Sequence, residues 1–379
     1  MTDRTTNVNR TGAPPRRRRR RGALVAVASV AAAATLVVGT GAASAGGNHG
    51  GPKPPPVSST TTLADGLVGP LHLDVSPGRK GPNVLVSQSF LGSISKVSGG
   101  TATDVVAEPG GFTGGAAAGP FGTVLYLVSN EDGAFLKVQL PNGTRKVLAD
   151  LGTYEATRNP DRINTYGLQG ASDDCLAQLP PDLPLAPYTG DVNPNPYELV
   201  VTPFGVYVAD AGANAILFVE WSGRIRTVSV LPPRPEVITA EIAAGAGLPA
   251  CTVGLTMNFE PVPTDVEIGP GFQLYVSSLP GGPEDASLGA RGGVFTVHPI
   301  SGKARLIGTG FLGATNLAVS PNGTVYVAEL FGGRVSKLTS RGPVTVRELT
   351  EPAAVEYSGG RLYVTTDVNT SGKVVSFTP

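Results

Sequence analysis

The feature that most restricts this chain is a repeated three-strand unit, clearest over residues 314–338, A-T-N-L-A-V-S-P-N-G-T-V-Y-V-A-E-L-F-G-G-R-V-S-K-L. Leu317 and Val319 open a strand and Pro321-Asn322-Gly323 turns it. Residues 324–329 alternate as a second strand, Gly332-Gly333 turns again, and 334–338 form a third. Alternating apolar residues punctuated by Asn-Gly and Gly-Gly are the strongest short-range hairpin signal. The pattern recurs at residues 69–97, 122–138, 195–219, 263–297 and 352–377, with V-L-V-S-Q, L-Y-L-V, V-Y-V-A-D, L-Y-V and L-Y-V-T as the successive second strands. Outer strands are expected between units, at 104–107, 145–149, 225–230, 304–308 and 344–349. Six units of about 40 residues with about four strands each predict an all-β fold, a six-bladed β-propeller. One hairpin sheet is only marginally stable, so the blades need one another's faces. The last unit ends at Phe377 one strand short. T-T-T-L-A at 60–64 is expected to supply that strand, closing the ring and removing a sheet edge.

Composition separates this reading from disorder. The chain carries 51 Gly and 34 Pro among 379 residues, which suits either low complexity or many turns. Apolar alternating segments lie between those turns, so the β fold is favoured. The formal charge of zero conceals an asymmetry. Of 29 basic and 29 acidic side chains, eight and one precede residue 46, leaving 21 and 28, a balance near −7. An acidic remainder argues against nucleic acid as a partner, because phosphate binding needs a basic surface.

Residues 1–45 read as a secretory signal peptide. Arg16 to Arg21 are six arginines in a row, an apolar stretch follows over 22–38, and Ala43-Ser44-Ala45 precedes Gly46 as a small-x-small cleavage site. The apolar stretch is short of the roughly 20 residues a retained span requires. The expected product is secreted, extracellular and monomeric, with no membrane contact after cleavage between Ala45 and Gly46; the general secretory route is favoured over twin-arginine export. Residues 46–58 form a Gly/Pro-rich linker that holds His49. The propeller occupies 59–379.

Two stretches exceed the repeat, at about 152–191 and 232–261, and each holds one of the two cysteines, Cys175 and Cys251. Long loops inside a compact domain are either functional or decorative. In an exported chain an even pair of cysteines reads as a disulfide, which would tie the two insertions together; two free thiols are the competing reading. Residues 236–247 are Ala-rich and suit a helix.

Several of these segments carry a family likeness. N-P-Y-E-L-V-V from Asn195, V-A-D-A-G-A-N-A-I from Val208, V-P-T-D-V from Val262 and L-A-V-S-P-N-G-T-V-Y-V-A-E from Leu317 together resemble the ScyD/ScyE family of exported bacterial proteins, over roughly residues 60–379. The resemblance implies a six-bladed propeller similar to the NHL and gluconolactonase types. It brings no settled reaction with it. Gluconolactonase-like propellers set Glu, Asn, Asn and Asp around a divalent metal; Asn316 in A-T-N-L and Asp265 in P-T-D-V fall in comparable places, while the first unit offers no matching Glu.

The residues themselves point to no established catalytic centre. The three histidines, His49, His72 and His298, form no His-x-x-His, His-Glu-x-x-His or Cys-His cluster, and no G-x-S-x-G elbow accompanies them. The plausible locus is the channel mouth, where inner strands begin. There His72, Asn195, Asp265, Asn316 and Glu356 are candidate ligand or metal residues, and oxygen and amide groups on one axis suit Ca²⁺ or another divalent cation. The alternative is that they hydrate the channel and cap strands. Asp210 and Glu329 follow matching second strands and are expected to hold neighbouring turns. Asp191-Val-Asn193-Pro-Asn195 spaces oxygens like the start of a calcium loop but lacks its Gly and closing Glu, so turn formation is favoured. The function expected is a module binding a small molecule or cell-envelope partner at the mouth, with a metal-dependent lactonase or esterase as the alternative.

Overall fold

The alternation read from the sequence produces seven four-stranded antiparallel sheets in a computed structural model that describes residues 59–78, 81–181 and 183–379. The signal segment, its Ala45–Gly46 cleavage site and most of the linker with His49 lie outside the described residues. Sheet 1 comprises Pro70–Ser76, Asn83–Gln88, Ser93–Ser98 and Thr101–Ala107, paired in chain order. Sheet 2 comprises Phe112–Ala118, Val124–Asn130, Gly133–Gln139 and Arg145–Asp150. Sheet 3 comprises Pro196–Thr202, Gly205–Asp210, Ala215–Glu220 and Ile225–Val230. Sheet 4 comprises Pro263–Ile268, Leu274–Ser278, Gly292–Val297 and Ala304–Phe311. Sheet 5 comprises Ala314–Val319, Val325–Glu329, Arg334–Thr339 and Gly342–Glu348. Sheet 6 comprises Val355–Ser358, Arg361–Thr366 and Gly372–Phe377, and its fourth strand is Thr61–Leu67 from the other end of the chain, in register Thr61 to Ser376.

The turn chemistry explains the hairpins. Asn322 Oδ1 accepts from the Thr324 amide while Gly323 takes φ +85°, a conformation that costs a residue with Cβ. The first strand of each sheet packs beside the first strand of the next, and that of sheet 6 packs back against that of sheet 1. Apolar clusters fill the spaces between successive sheets. Leu125, Leu127 and Leu136 of sheet 2, for example, meet Val206, Val208 and Leu217 of sheet 3, and Ala318, Tyr326 and Val335 of sheet 5 meet Val355, Leu362 and Val364 of sheet 6. Each fully buried Leu or Val contributes about 1.5–3 kcal/mol relative to exposure. The stabilisation thus lies between sheets, as a β-propeller requires.

The insertions have structure of their own. The first begins with the helix Leu151–Arg158, capped by Asp150, which accepts from the Thr153 amide at 2.8 Å. Tyr188–Thr189, Thr165–Gln169, Thr256–Phe259 and Arg234–Val237, drawn from both insertions, pair into the seventh sheet. Its core is Leu168, Ile238, Ala243 and Met257. The Ala-rich stretch is helical over Ala240–Gly245. Cys175 and Cys251 are disulfide-bonded with Cα atoms 5.8 Å apart and staple the two insertions together. Among the described residues no helix is long and apolar enough to cross a membrane.

Candidate functional site

Register places the channel residues. In sheets 1, 3, 4 and 5 a bulge interrupts the start of the first strand, and the residue just past it pairs with the penultimate residue of the second strand. His72 therefore lies opposite Ser87, Glu198 opposite Ala209, Asp265 opposite Ser277 and Asn316 opposite Ala328. Two residues further on, and hence on the same face of the pleat, come Asp74 opposite Leu85, Glu267 opposite Tyr275 and Glu356 opposite Tyr363. Ala116, Val200 and Ala318 hold this second position in the other three sheets. These positions form two tiers of side chains, the second with an acid in three of the six sheets.

The first tier is bonded from sheet to sheet. Asp265 Oδ2 accepts from the Leu317 amide of sheet 5 at 2.8 Å, and Asn316 Oδ1 from the Val355 amide of sheet 6 at 2.7 Å. The threonines before them act alike: Thr264 Oγ1 donates to the Ala314 carbonyl and Thr315 Oγ1 to the Ala353 carbonyl. In the second tier, Asp74 Oδ2 accepts from the Ala118 amide of sheet 2 at 3.3 Å. His72 Nδ1 lies 2.9 Å from Glu198 Oε2, and Glu198 Oε1 accepts from the Leu199 amide. Room for that carboxylate exists because sheet 2 offers F-T-G-G-A-A-A: a Cβ on Gly115 would stand 1.6 Å from Glu198 Oε1.

Burial dominates the electrostatics. It pushes the imidazolium of His72 down to about 3, so its contact with Glu198 is a hydrogen bond of neutral imidazole rather than an ion pair. Burial also raises Asp74 to about 7, opposed by the Ala118 amide and aided by the charge of Glu198. Glu198, Asp265, Glu267 and Glu356 are all held above the usual carboxylate range, burial first and then, for the last three, the charges of the other channel acids. Asp74, Glu267, Glu356 and Tyr197 keep partial solvent contact although protein surrounds them. The Tyr197 ring stands 4.5 Å from that of His72, with Phe112 on another side at 6.5 Å.

Of the residues singled out in the sequence, His72, Asp265, Asn316 and Glu356 come together here. Asn195 stands before its strand, donating its amide to Asp210 Oδ1, and Glu198 occupies the register position beside His72. The third residue of P-L-H, P-Y-E, P-T-D and A-T-N marks that position in four of the six units. The same triplet position holds Glu198; of the acids two residues further on, Glu356 is read from the sequence and Glu267 needs the register. His298 Nδ1 accepts from the Ile300 and Ser301 amides in an exposed turn. Glu329 accepts from the Leu312 amide, Arg334 and Ser336, the turn-holding role expected of it. Metal chemistry of the gluconolactonase type meets an obstacle. Both oxygens of Asp265 and of Glu198 and the Asn316 Oδ1 are already engaged. Among the described residues no three His, Cys, Asp or Glu are placed to hold a metal ion. The channel residues as they stand do not fit a resident metal.

No protein-family model and no curated protein sequence matches the chain. Solved structures do. A gluconolactonase from Xanthomonas campestris is 11% identical, with 85% of this chain and 89% of that one covered and a TM-score of 0.51. A PQQ-bound aldose sugar dehydrogenase from Streptomyces coelicolor is 15% identical, covering 86% and 99%, TM-score 0.50. A protein of unknown function from Bacteroides thetaiotaomicron is 12% identical, covering 85% and 76%, TM-score 0.52. At these identities the likeness is one of fold, an NHL- and gluconolactonase-like propeller.

Proposed function

We propose that the chain is an exported six-bladed β-propeller that binds a small organic cation at one mouth of its channel. Sheets 1 to 6 are the blades, the strand Thr61–Leu67 completes the last, and the seventh sheet is an added lobe. The observation that carries the reading is charge. Asp74, Glu198, Asp265, Glu267 and Glu356 converge from four strands, and none makes an ion pair with Lys or Arg among the described residues. Ionised, these acids draw a positive ligand, which in turn favours loss of the protons that burial holds, and the aromatic rings of Tyr197 and Phe112 beside them suit an ammonium group.

Titration calorimetry with choline, putrescine and neutral sorbitol at pH 8 tests this. The two cations are expected to bind and sorbitol not to. Affinity falls at least tenfold in the Glu267→Gln/Glu356→Gln variant, and also at pH 5.5, where the acids keep their protons. No cation binding, or binding indifferent to both changes, overturns the reading. A metal-dependent lactonase or esterase at the same mouth is the second reading. It draws on one observation, that the buried Nε2 of His72 has no hydrogen-bond partner. Lactone or ester turnover that requires an added divalent ion and disappears in His72→Gln would favour it over the binding module.

A further inference from the structure

We propose that the junction where the first insertion rejoins sheet 3 is a binding site for a hard divalent cation, Ca²⁺ foremost, held by Glu155 Oε2, Asp161 Oδ1, Asp210 Oδ2 and Asn159 Oδ1. Glu155, Asp161 and Asp210 are each 0% exposed. Glu155 Oε1 accepts from the Asn193 amide, Asp161 Oδ2 from Asn214 Nδ2, and Asp210 Oδ1 from the Asn195 and Ala213 amides; the Tyr166 hydroxyl and the Gly212 amide also act on the Asp161 and Asp210 carboxyls. The other oxygen of each, and the Asn159 Oδ1, is buried without a partner. Asn159 itself is tied in through Nδ2 to the Gly190 carbonyl. The three acids repel one another, with Asp191 and Glu260 adding to the field, and among the described residues no Lys or Arg pairs with them.

Glu329 of sheet 5 and Asp210 of sheet 3 end matching second strands. Glu329 pairs in register with Arg334 and takes two hydrogen bonds from its guanidinium. Asp210 pairs with Ala215, a methyl where sheet 5 supplies a cation. Burying three carboxylates without countercharge is expensive, and four bare oxygens are the donor set a hard cation takes. As the side chains stand, no three acids are placed to hold a metal. Closing on an ion asks the bare oxygens to turn inward, and unlike those of Asp265, Glu198 and Asn316 they have no hydrogen bond to give up.

Thermal melting in EDTA and in 1 mM Ca²⁺ at pH 7.5 tests the site. Wild type is expected to gain about 3–6 °C with Ca²⁺. Glu155→Gln and Asp161→Asn should melt at or above wild type in EDTA, because a repelling charge is gone, yet respond to Ca²⁺ by less than about 1 °C. The channel variant Glu356→Gln should keep the full response, which separates this site from any ion in the channel. Tb³⁺ bound to unmutated protein should luminesce through Tyr166, which neighbours Asp161, and be displaced by Ca²⁺. No response in wild type by melting and Tb³⁺ alike, or a Ca²⁺ shift that survives both junction substitutions, overturns the proposal.

Discussion

The channel and the insertion junction both bury carboxylates without a basic partner, and both rely on a glycine for space: Gly115 over Glu198 and Gly190 over Asp161, where a Cβ would come within 1.6 and 2.0 Å of an oxygen. They differ in how the oxygens are used. First-tier oxygens accept backbone amides, and those of Asp265 and Asn316 take theirs from the next sheet, so the polar group doubles as a clip between sheets. At the junction each acid satisfies one oxygen and leaves the other bare. A buried anion surrounded by N–H donors is tolerable, whereas an unpaired one costs several kcal/mol. The first arrangement is complete without a ligand. The second is completed only by an added cation or proton.

That contrast can be broken in several ways. The largest effect is expected from removing the disulfide. Cys175→Ser/Cys251→Ser opens a closed loop spanning 76 residues, for which chain entropy allows about 4 kcal/mol. The loss should be local: hydrogen exchange accelerates in the seventh sheet while the channel strands stay protected. Simultaneous loss of protection in both would show that the regions are not independent. Next comes Gly115→Ala, expected to cost about 2–3 kcal/mol in urea unfolding as the Glu198 carboxylate is displaced. Adding Glu198→Ala to that variant should recover part of the loss; no recovery would mean the glycine serves the backbone alone. Asn316→Ala strands the buried Val355 amide and should cost about 1–2 kcal/mol, a direct measure of one clip.

Smaller shifts are expected with pH. A carboxyl held above its unfolded value binds its proton more tightly in the folded chain. Its stabilising effect is full below about pH 4 and is lost as pH rises through the folded value, about 6 for Asp161 and about 7 for Asp74. His72 acts in the opposite sense. Buried neutral and lowered to about 3, it contributes above its unfolded value of 6.5 and loses that as pH falls. The acids outnumber it, so the melting temperature in EDTA should peak near pH 5 and decline to pH 8. Ca²⁺ should flatten the decline through the junction but not through the channel. A melting temperature that rises from pH 5 to pH 8 would refute the buried-acid account of both regions.

Sequence alone determined the repeat, because a strand's two-residue period and the chemistry of Asn-Gly and Gly-Gly turns are local. It likewise yielded the strand borrowed from residues 60–64 and the pairing of Cys175 with Cys251, since an unfinished last unit and a lone pair of cysteines leave few other solutions. His72, Asp265 and Asn316 were legible because they break an apolar pattern at the same point of three units, and Glu356 because it breaks it two places later in the last. Tertiary structure decided the rest. Asn195 precedes its strand and is spent on Asp210, so Glu198, three residues later, takes the register position beside His72. The seventh sheet joins strands from two insertions up to 94 residues apart, from Thr165 to Phe259. The junction gathers Glu155, Asp161 and Asp210 from a helix, a short turn and a sheet. No local pattern marks such a meeting, because which oxygens end up buried and bare depends on what the rest of the chain packs around them.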